Sequence, residues 1–150
     1  MVSYPIPNPN LTESCPIYHS GTNHHHQGET EWAKKGFHTG TTDIELTPHG
    51  IRQVRNTASL LVGSGKLLDP SKLMKVFVSP RKRAQQTFAG LFEGEQVPED
   101  IVTVTEDIAE WDYGDYEGLT PAQTKVLRRE RGLDLEGEWT VWGDGCEGGE

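Results

Sequence analysis

Leu73-Met74-Lys75-Val76-Phe77-Val78-Ser79-Pro80-Arg81-Lys82-Arg83-Ala84-Gln85-Gln86-Thr87 is the stretch that decides the fold. Its first six residues are an apolar run rich in β-branched and aromatic side chains, which predicts a short buried strand. Ser79-Pro80 ends the run and opens a helix. In that helix Ala84, Phe88, Leu91 and Phe92 form the inner face, and Arg81, Lys82 and Arg83 fall in the first turn. Basic side chains at a strand-to-helix junction stand beside free backbone N–H groups and the positive end of the helix dipole. An Arg placed there can hold two oxygens of one phosphate, as a Lys cannot. A solvated basic turn would use the same residues.

Working outward, the pattern repeats. Thr47-Pro48 reads as a helix start, with Thr as N-cap and Pro where its missing N–H costs nothing. Ile51, Val54, Ala58, Leu61 and Val62 then keep helical spacing until Gly63-Ser64-Gly65. Ile101, Val102 and Val104 predict a second short strand. Thr120-Pro121 opens another helix, which ends at Gly132, and Leu133 to Glu150 reads as loop. Alternating strands and helices define an α/β class with a parallel sheet. Folded character begins near Trp32. Residues 1–27 are expected to be disordered or unrelated to the rest, since His19 to Glu31 holds no apolar side chain to offset the ordering entropy.

Length and composition bound the function. A chain of 150 residues suits one domain, and its formal net charge of −9 speaks against nucleic acid as a partner. The charge is divided. Residues 1–92 hold 10 Lys and Arg against 6 Asp and Glu, whereas residues 93–150 hold 4 against 17. No apolar stretch reaches the ~18–20 residues that cross a bilayer, so no membrane association is expected. Met1 to Pro5 lacks the basic and apolar regions of a signal peptide. With only 2 cysteines, Cys15 and Cys146, a reducing, cytoplasmic setting is expected. His24-His25-His26 are adjacent residues that do not converge on one ion as helical i, i+4 pairs do, so no metal is expected.

A second candidate lies at Glu110-Trp111-Asp112-Tyr113-Gly114-Asp115-Tyr116-Glu117-Gly118. A carboxyl packed beside Trp and Tyr is partly desolvated and suited to donate a proton near neutral pH. An acidic loop anchored by its aromatics is the plainer reading of the same residues.

Taken together, these segments resemble a known family. Gly28-Glu29-Thr30-Glu31-Trp32, followed by Thr39-Gly40 through Thr47-Pro48-His49-Gly50, resembles the first signature of the histidine phosphatase superfamily, which includes phosphoglycerate mutases. Ser79 to Thr87 resembles its second signature and Glu110 to Gly118 its third. The closing Trp142-Gly143-Asp144-Gly145-Cys146-Glu147-Gly148-Gly149-Glu150 is similar to the sedoheptulose-bisphosphatase branch. The resemblance implies a partial three-layer α/β/α domain over residues 28–150, with a mostly parallel sheet. It implies a phosphorylated sugar as small-molecule ligand, no cofactor and no metal, because Arg and His neutralise the phosphoryl charge. Arg83 matches the phosphate-holding Arg and Glu110 the proton donor. Thr39 and Gly40 match a substrate loop, and Glu29 and Thr30 complete the first motif.

The chain also departs from the pattern. Gln27 stands at the position of the nucleophilic His and His26 at that of the motif Arg, and Glu150 is expected to fall before the segment carrying a second His. An amide has no basic lone pair with which to attack phosphorus. The expectation is a sugar-phosphate phosphatase by ancestry that is inactive as this chain. A mutase-type phosphotransferase, a non-catalytic phosphosugar-binding protein and a fragment that does not fold alone remain open beside it. No residue pattern speaks to oligomeric state.

Overall fold

A computed structural model describes residues 28–133 and 139–149. The expected disorder of residues 1–27, and Gln27 with it, lies outside the described residues.

Local chemistry sets the helix starts. Helix α1 spans Glu31–Lys35, with Thr30 as N-cap accepting the Ala33 N–H at 3.1 Å. Helix α2, Pro48–Leu61, begins where Thr47 Oγ1 accepts the Gly50 N–H at 2.9 Å. Strand β1 is Val76–Val78 and helix α3 is Lys82–Leu91. Strand β2, Val102–Val104, follows, then helix α4 at Pro121–Glu130 and helix α5 at Val141–Asp144. At α4 Thr120 and Gln123 bond reciprocally in a capping box, which satisfies two of the orphan N–H groups of the first turn.

β1 and β2 pair in parallel, Val76 with Val102 and Val78 with Val104, as the strand–helix alternation predicts. The connection between them runs through α3, which packs against β1 and α2. Gly90 permits the helix contact: a Cβ there would stand 2.9 Å from Val54 Cγ1.

Three expectations are corrected. The strand is three residues long rather than six, and only Val78 is buried, while Phe77 is 57% exposed and Met74 91%. Alternate strand side chains fall on opposite faces, and α3 covers one of them. The α3 inner face is also different: its fully buried residues are Arg83 and Thr87, whereas Ala84, Phe88, Leu91 and Phe92 are half-buried. Finally, α1 and α5 stand where no helix was expected.

The densest apolar packing lies in the acidic part of the chain. Tyr113, Tyr116 and Cys146 are buried there, with Trp111, Leu119, Leu127, Trp139 and Val141 packed around them. The acidic surface is thus anchored by its aromatics.

Candidate active site

The first turn of α3 organises a distant loop. Asp43 Oδ1 accepts the Lys82 N–H at 2.6 Å and so caps the helix in place of the expected Ser79. One turn on, Gln86 Oε1 accepts the Leu46 N–H at 2.7 Å. These two bonds tie residues 43–46 to the start of α3 and bring residues 39–42 over Arg83.

Arg83 is 1% exposed. Its Nη1 donates to the Thr42 carbonyl at 2.9 Å, and its Nη2 to the Thr39 and Gly40 carbonyls at 3.2 and 2.8 Å. Its Nε is buried with no hydrogen-bond partner. Burial lowers the guanidinium pKa from its ordinary value, while the Glu110 and Glu117 carboxylates oppose that shift.

Glu117 completes the arrangement from the other side. Its carboxylate accepts the Gly40 N–H at 3.0 Å and the Thr42 N–H at 2.9 Å. Residues 39–42 therefore give their carbonyls to a cation and their N–H groups to an anion. Gly40 is required here because a Cβ would run into the Trp111 backbone oxygen.

Above this loop His38 stacks on Tyr113, with ring centroids 4.7 Å apart. Burial lowers the His38 imidazole below its ordinary value against the pull of Glu117, and it pushes the Tyr113 phenol up to about 12. Burial likewise pushes the Cys146 thiol up, so it is held protonated and inert rather than as a nucleophile.

A cavity of about 580 Å³ lies along β1 and α3. Its floor is apolar. Arg81, Arg83 and Glu110 all line it, with Ser79 at the C-terminal end of β1. This is where open parallel sheets place ligands.

The expected site residues fall into two groups. Arg83 and Glu110 share the cavity, and Thr39 and Gly40 meet Arg83 through their carbonyls. Gly28 also reaches α3, its N–H donating to Thr87 Oγ1 at 3.3 Å, and Thr87 Oγ1 in turn donates to the Arg83 carbonyl at 2.7 Å. Glu29 and Thr30 do not line the cavity. Glu29 Oε1 accepts from Thr47 Oγ1 at 2.9 Å and lies 3.5 Å from His49 Nδ1, so it serves the start of α2. Thr30 is 2% exposed and serves α1.

Glu110 departs from expectation in its surroundings. It is exposed, and its Oε1 accepts its neighbour's Trp111 N–H at 3.1 Å, so the apolar shielding foreseen for it is not realised. Glu117 lies within the third signature, and its brace of residues 40–42 joins the two segments through backbone N–H groups, which spacing alone does not reveal.

Among the described residues no group of His, Cys, Asp and Glu is arranged to hold a metal ion, and no helix is long and apolar enough to cross a membrane.

Comparison with known proteins agrees with this architecture. The family model for the histidine phosphatase superfamily (branch 1) matches residues 26–149. The chain belongs to that superfamily. It is 41% identical over 145 residues to a sedoheptulose 1,7-bisphosphatase of Saccharomyces cerevisiae, covering 95% of this chain and 51% of that protein. An acid phosphatase of Mycobacterium tuberculosis is 42% identical over 125 residues, covering 82% of this chain and 51% of the relative. A solved M. tuberculosis open-reading-frame structure superposes with a TM-score of 0.57 at 36% identity, over 83% of this chain and 54% of that one. The chain thus spans about half the length of the relatives it matches.

Proposed function

We propose that this chain carries the phosphate-recognition half of a sugar-phosphate phosphatase site of the phosphohistidine type, and that with Gln27 in place it binds a phosphorylated sugar without hydrolysing it. The observation that carries the reading is Arg83. Its hydrogen-bond partners are neutral carbonyls, so a buried positive charge faces a cavity that the exposed carboxyl of Glu110 also lines. Such a charge attracts a phosphoryl group, and the unpartnered Nε supplies a donor. The sedoheptulose bisphosphatase and acid phosphatase relatives support a phosphate monoester as the ligand class.

In this reading Arg83 neutralises the phosphoryl oxygens, Glu110 stands where an alkoxide leaving group would need a proton, and Thr39 and Gly40 form the wall that Arg83 and Glu117 fix. The position that must supply the attacking nitrogen holds Gln27, whose amide lone pair is delocalised. Residues 28–149 act as one part of a histidine phosphatase domain, and a reducing cytoplasmic setting fits the protonated Cys146 thiol.

The test is a binding titration of the 150-residue chain with a phosphorylated sugar, followed by ³¹P NMR and a phosphate-release assay on the same sample. Binding without release above the protein-free control is expected. Release at ordinary enzyme rates with Gln27 in place would overturn the non-hydrolytic reading, and absence of binding would overturn the recognition itself.

A further inference from the structure

The end of the sheet opposite Ser79 carries a surface that the proposed site does not use. Strands β1 and β2 both start there, with Val76 beside Val102. A groove of about 400 Å³ is lined by Phe88, Phe92, Val97 and Val102, and the two phenylalanine rings lie 5.2 Å apart. Those rings also line the β1–α3 cavity, at the far end of α3 from Arg81. Glu95 and Glu99 line the groove as well. Both are exposed, and neither has an ion-pair partner among the described residues.

Next to the groove stands a knob of opposite charge. Leu60 is 74% exposed and Leu67 is 78% exposed. The Leu68 N–H donates to the Leu61 carbonyl at 2.8 Å, and the Gly63 N–H to the Leu68 carbonyl at 3.0 Å. These bonds pin the loop that carries Leu67 to the end of α2 that carries Leu60. Lys66 is exposed on the same loop, and its Nζ donates to a neutral acceptor, the Ser59 carbonyl, at 2.6 Å. Groove and knob adjoin: a Cβ at Gly63 would stand 3.5 Å from Glu95 Oε1 and 3.6 Å from Lys66 Cδ.

Leucines held this far into water on a fixed loop, with charged residues around them, mark a contact surface. The charges select what it contacts. A basic apolar knob beside an acidic apolar groove is self-complementary: about a twofold axis each copy sets its knob in the groove of the other, and every contact is made twice. We infer that this surface binds a second copy of the chain. Leu60 and Leu67 of one copy enter the Phe88–Phe92 groove of the other, and Lys66 of one meets Glu95 and Glu99 of the other. Aromatic residues at the centre with charges at the rim are what such a contact needs. The inference is independent of the phosphosugar reading, because Ser79 and Arg81 stand at the opposite end of β1.

The experiment is sedimentation equilibrium of the 150-residue chain at concentrations from about 5 to about 200 µM. A reversible monomer–dimer equilibrium with a dissociation constant on the order of 10 µM is expected, the strength of a small interface. Lys66→Glu sets acid against acid, and the Glu95→Lys, Glu99→Lys double variant sets base against base. Each should weaken self-association at least about 10-fold. Mixed one to one, the two variants oppose unlike charges at both contacts, and their heterodimer should form about as tightly as the wild-type dimer. Leu67→Ser, which leaves the charges alone, should also weaken the dimer about 10-fold. Thermal melts establish that the variants are folded, and if the double variant is not, Lys66→Glu and Leu67→Ser decide. A wild-type chain that stays monomeric over this range leaves the surface to a different partner and overturns the inference. So do assemblies larger than a dimer, self-association unaltered in the variants, or folded charge variants that fail to associate when mixed.

Discussion

Two buried arginines sit about one domain half apart in sequence, and they are handled in opposite ways. Arg83, 1% exposed, is surrounded by the carbonyls of Thr39, Gly40 and Thr42. Arg128, 6% exposed, donates Nη1 to Glu147 at 2.7 and 2.9 Å and to the Tyr116 hydroxyl at 2.7 Å, and lies 4.8 Å over the Trp139 ring. A carboxylate at hydrogen-bond distance cancels the charge of Arg128, so that residue is a clamp: it ties residues near Cys146 to α4 and to the Tyr116 turn. Neutral carbonyls satisfy the Nη groups of Arg83, and the Glu110 and Glu117 carboxylates act on it through space without a hydrogen bond, so its charge is offset in part rather than clamped by a bonded counter-ion. Burial alone does not distinguish a structural cation from a recognition cation. In the reading proposed for this site, the identity of the bonded acceptor does.

The comparison breaks most severely at Arg83. Arg83→Met keeps apolar bulk but leaves the Thr39, Gly40 and Thr42 carbonyls without donors and the Glu117 carboxylate without its nearby cation. We expect a loss of about 3 kcal/mol in urea unfolding, the upper end of what breaking one buried polar network costs. The same substitution should weaken phosphate-ligand binding by ~1.5–3 kcal/mol in calorimetry, the worth of a charge-assisted hydrogen bond. Unchanged affinity in a folded variant would show that Arg83 only builds the loop.

Arg128→Met is the matched experiment on the other arginine. Glu147 is 39% exposed and can be rehydrated, so the expected loss is smaller, roughly 2 kcal/mol, from the clamp and its aromatic stacking. Phosphate-ligand affinity should be unaltered in Arg128→Met. A parallel drop in affinity for both variants would erase the distinction between an arginine clamped by a bonded carboxylate and one bonded only to neutral carbonyls.

The two regions also differ in how far the sequence made them legible. The Thr47-Pro48 and Thr120-Pro121 helix starts were readable because a cap is a local device, complete within four residues. The parallel pairing of β1 and β2 followed from strand–helix alternation, which leaves few alternatives. Arg83 and Glu110 were found because their segments resemble family signatures, not because spacing demanded them. The brace by Glu117 was not readable: it joins residues 75 and 77 positions apart through backbone N–H groups, which every residue type offers. The burial of Arg83 among carbonyls is hidden for the same reason. Helix α1 was missed because five residues show no apolar period, and it stands on Thr30 and on the left-handed Gly36 that closes it. A third prediction tests the local class: Thr120→Ala removes the capping box of α4 and should cost about 1 kcal/mol in thermal unfolding, with no change at the cavity. A larger loss, or altered phosphate-ligand binding, would mean that α4 and the Arg128 clamp reach the site after all.

The smallest expected effect sharpens the comparison from the side of an uncharged group. His38 is buried against Tyr113 and Glu117, and both of its ring nitrogens lack hydrogen-bond partners among the described residues. Its folded pKa is lowered from the ordinary 6.5 by burial, so the unfolded chain binds this proton more readily than the folded one. The contribution of His38 is therefore fully present above pH 6.5 and is lost as pH falls below that value toward the lowered folded pKa, where the penalty levels off. Glu117 opposes the shift, so the effect is smaller than burial alone would give. His38→Phe keeps a flat ring on Tyr113 and removes the titration. Urea midpoints taken at steps between pH 8 and pH 5 should fall more steeply for the wild-type chain than for His38→Phe, with the variant at least as stable at pH 8 because two unpaired nitrogens are gone. Identical slopes would mean that the His38 ring reaches water or a proton acceptor on acidification. The loop that Arg83 and Glu117 hold between them would then be open enough beside Tyr113 to admit solvent.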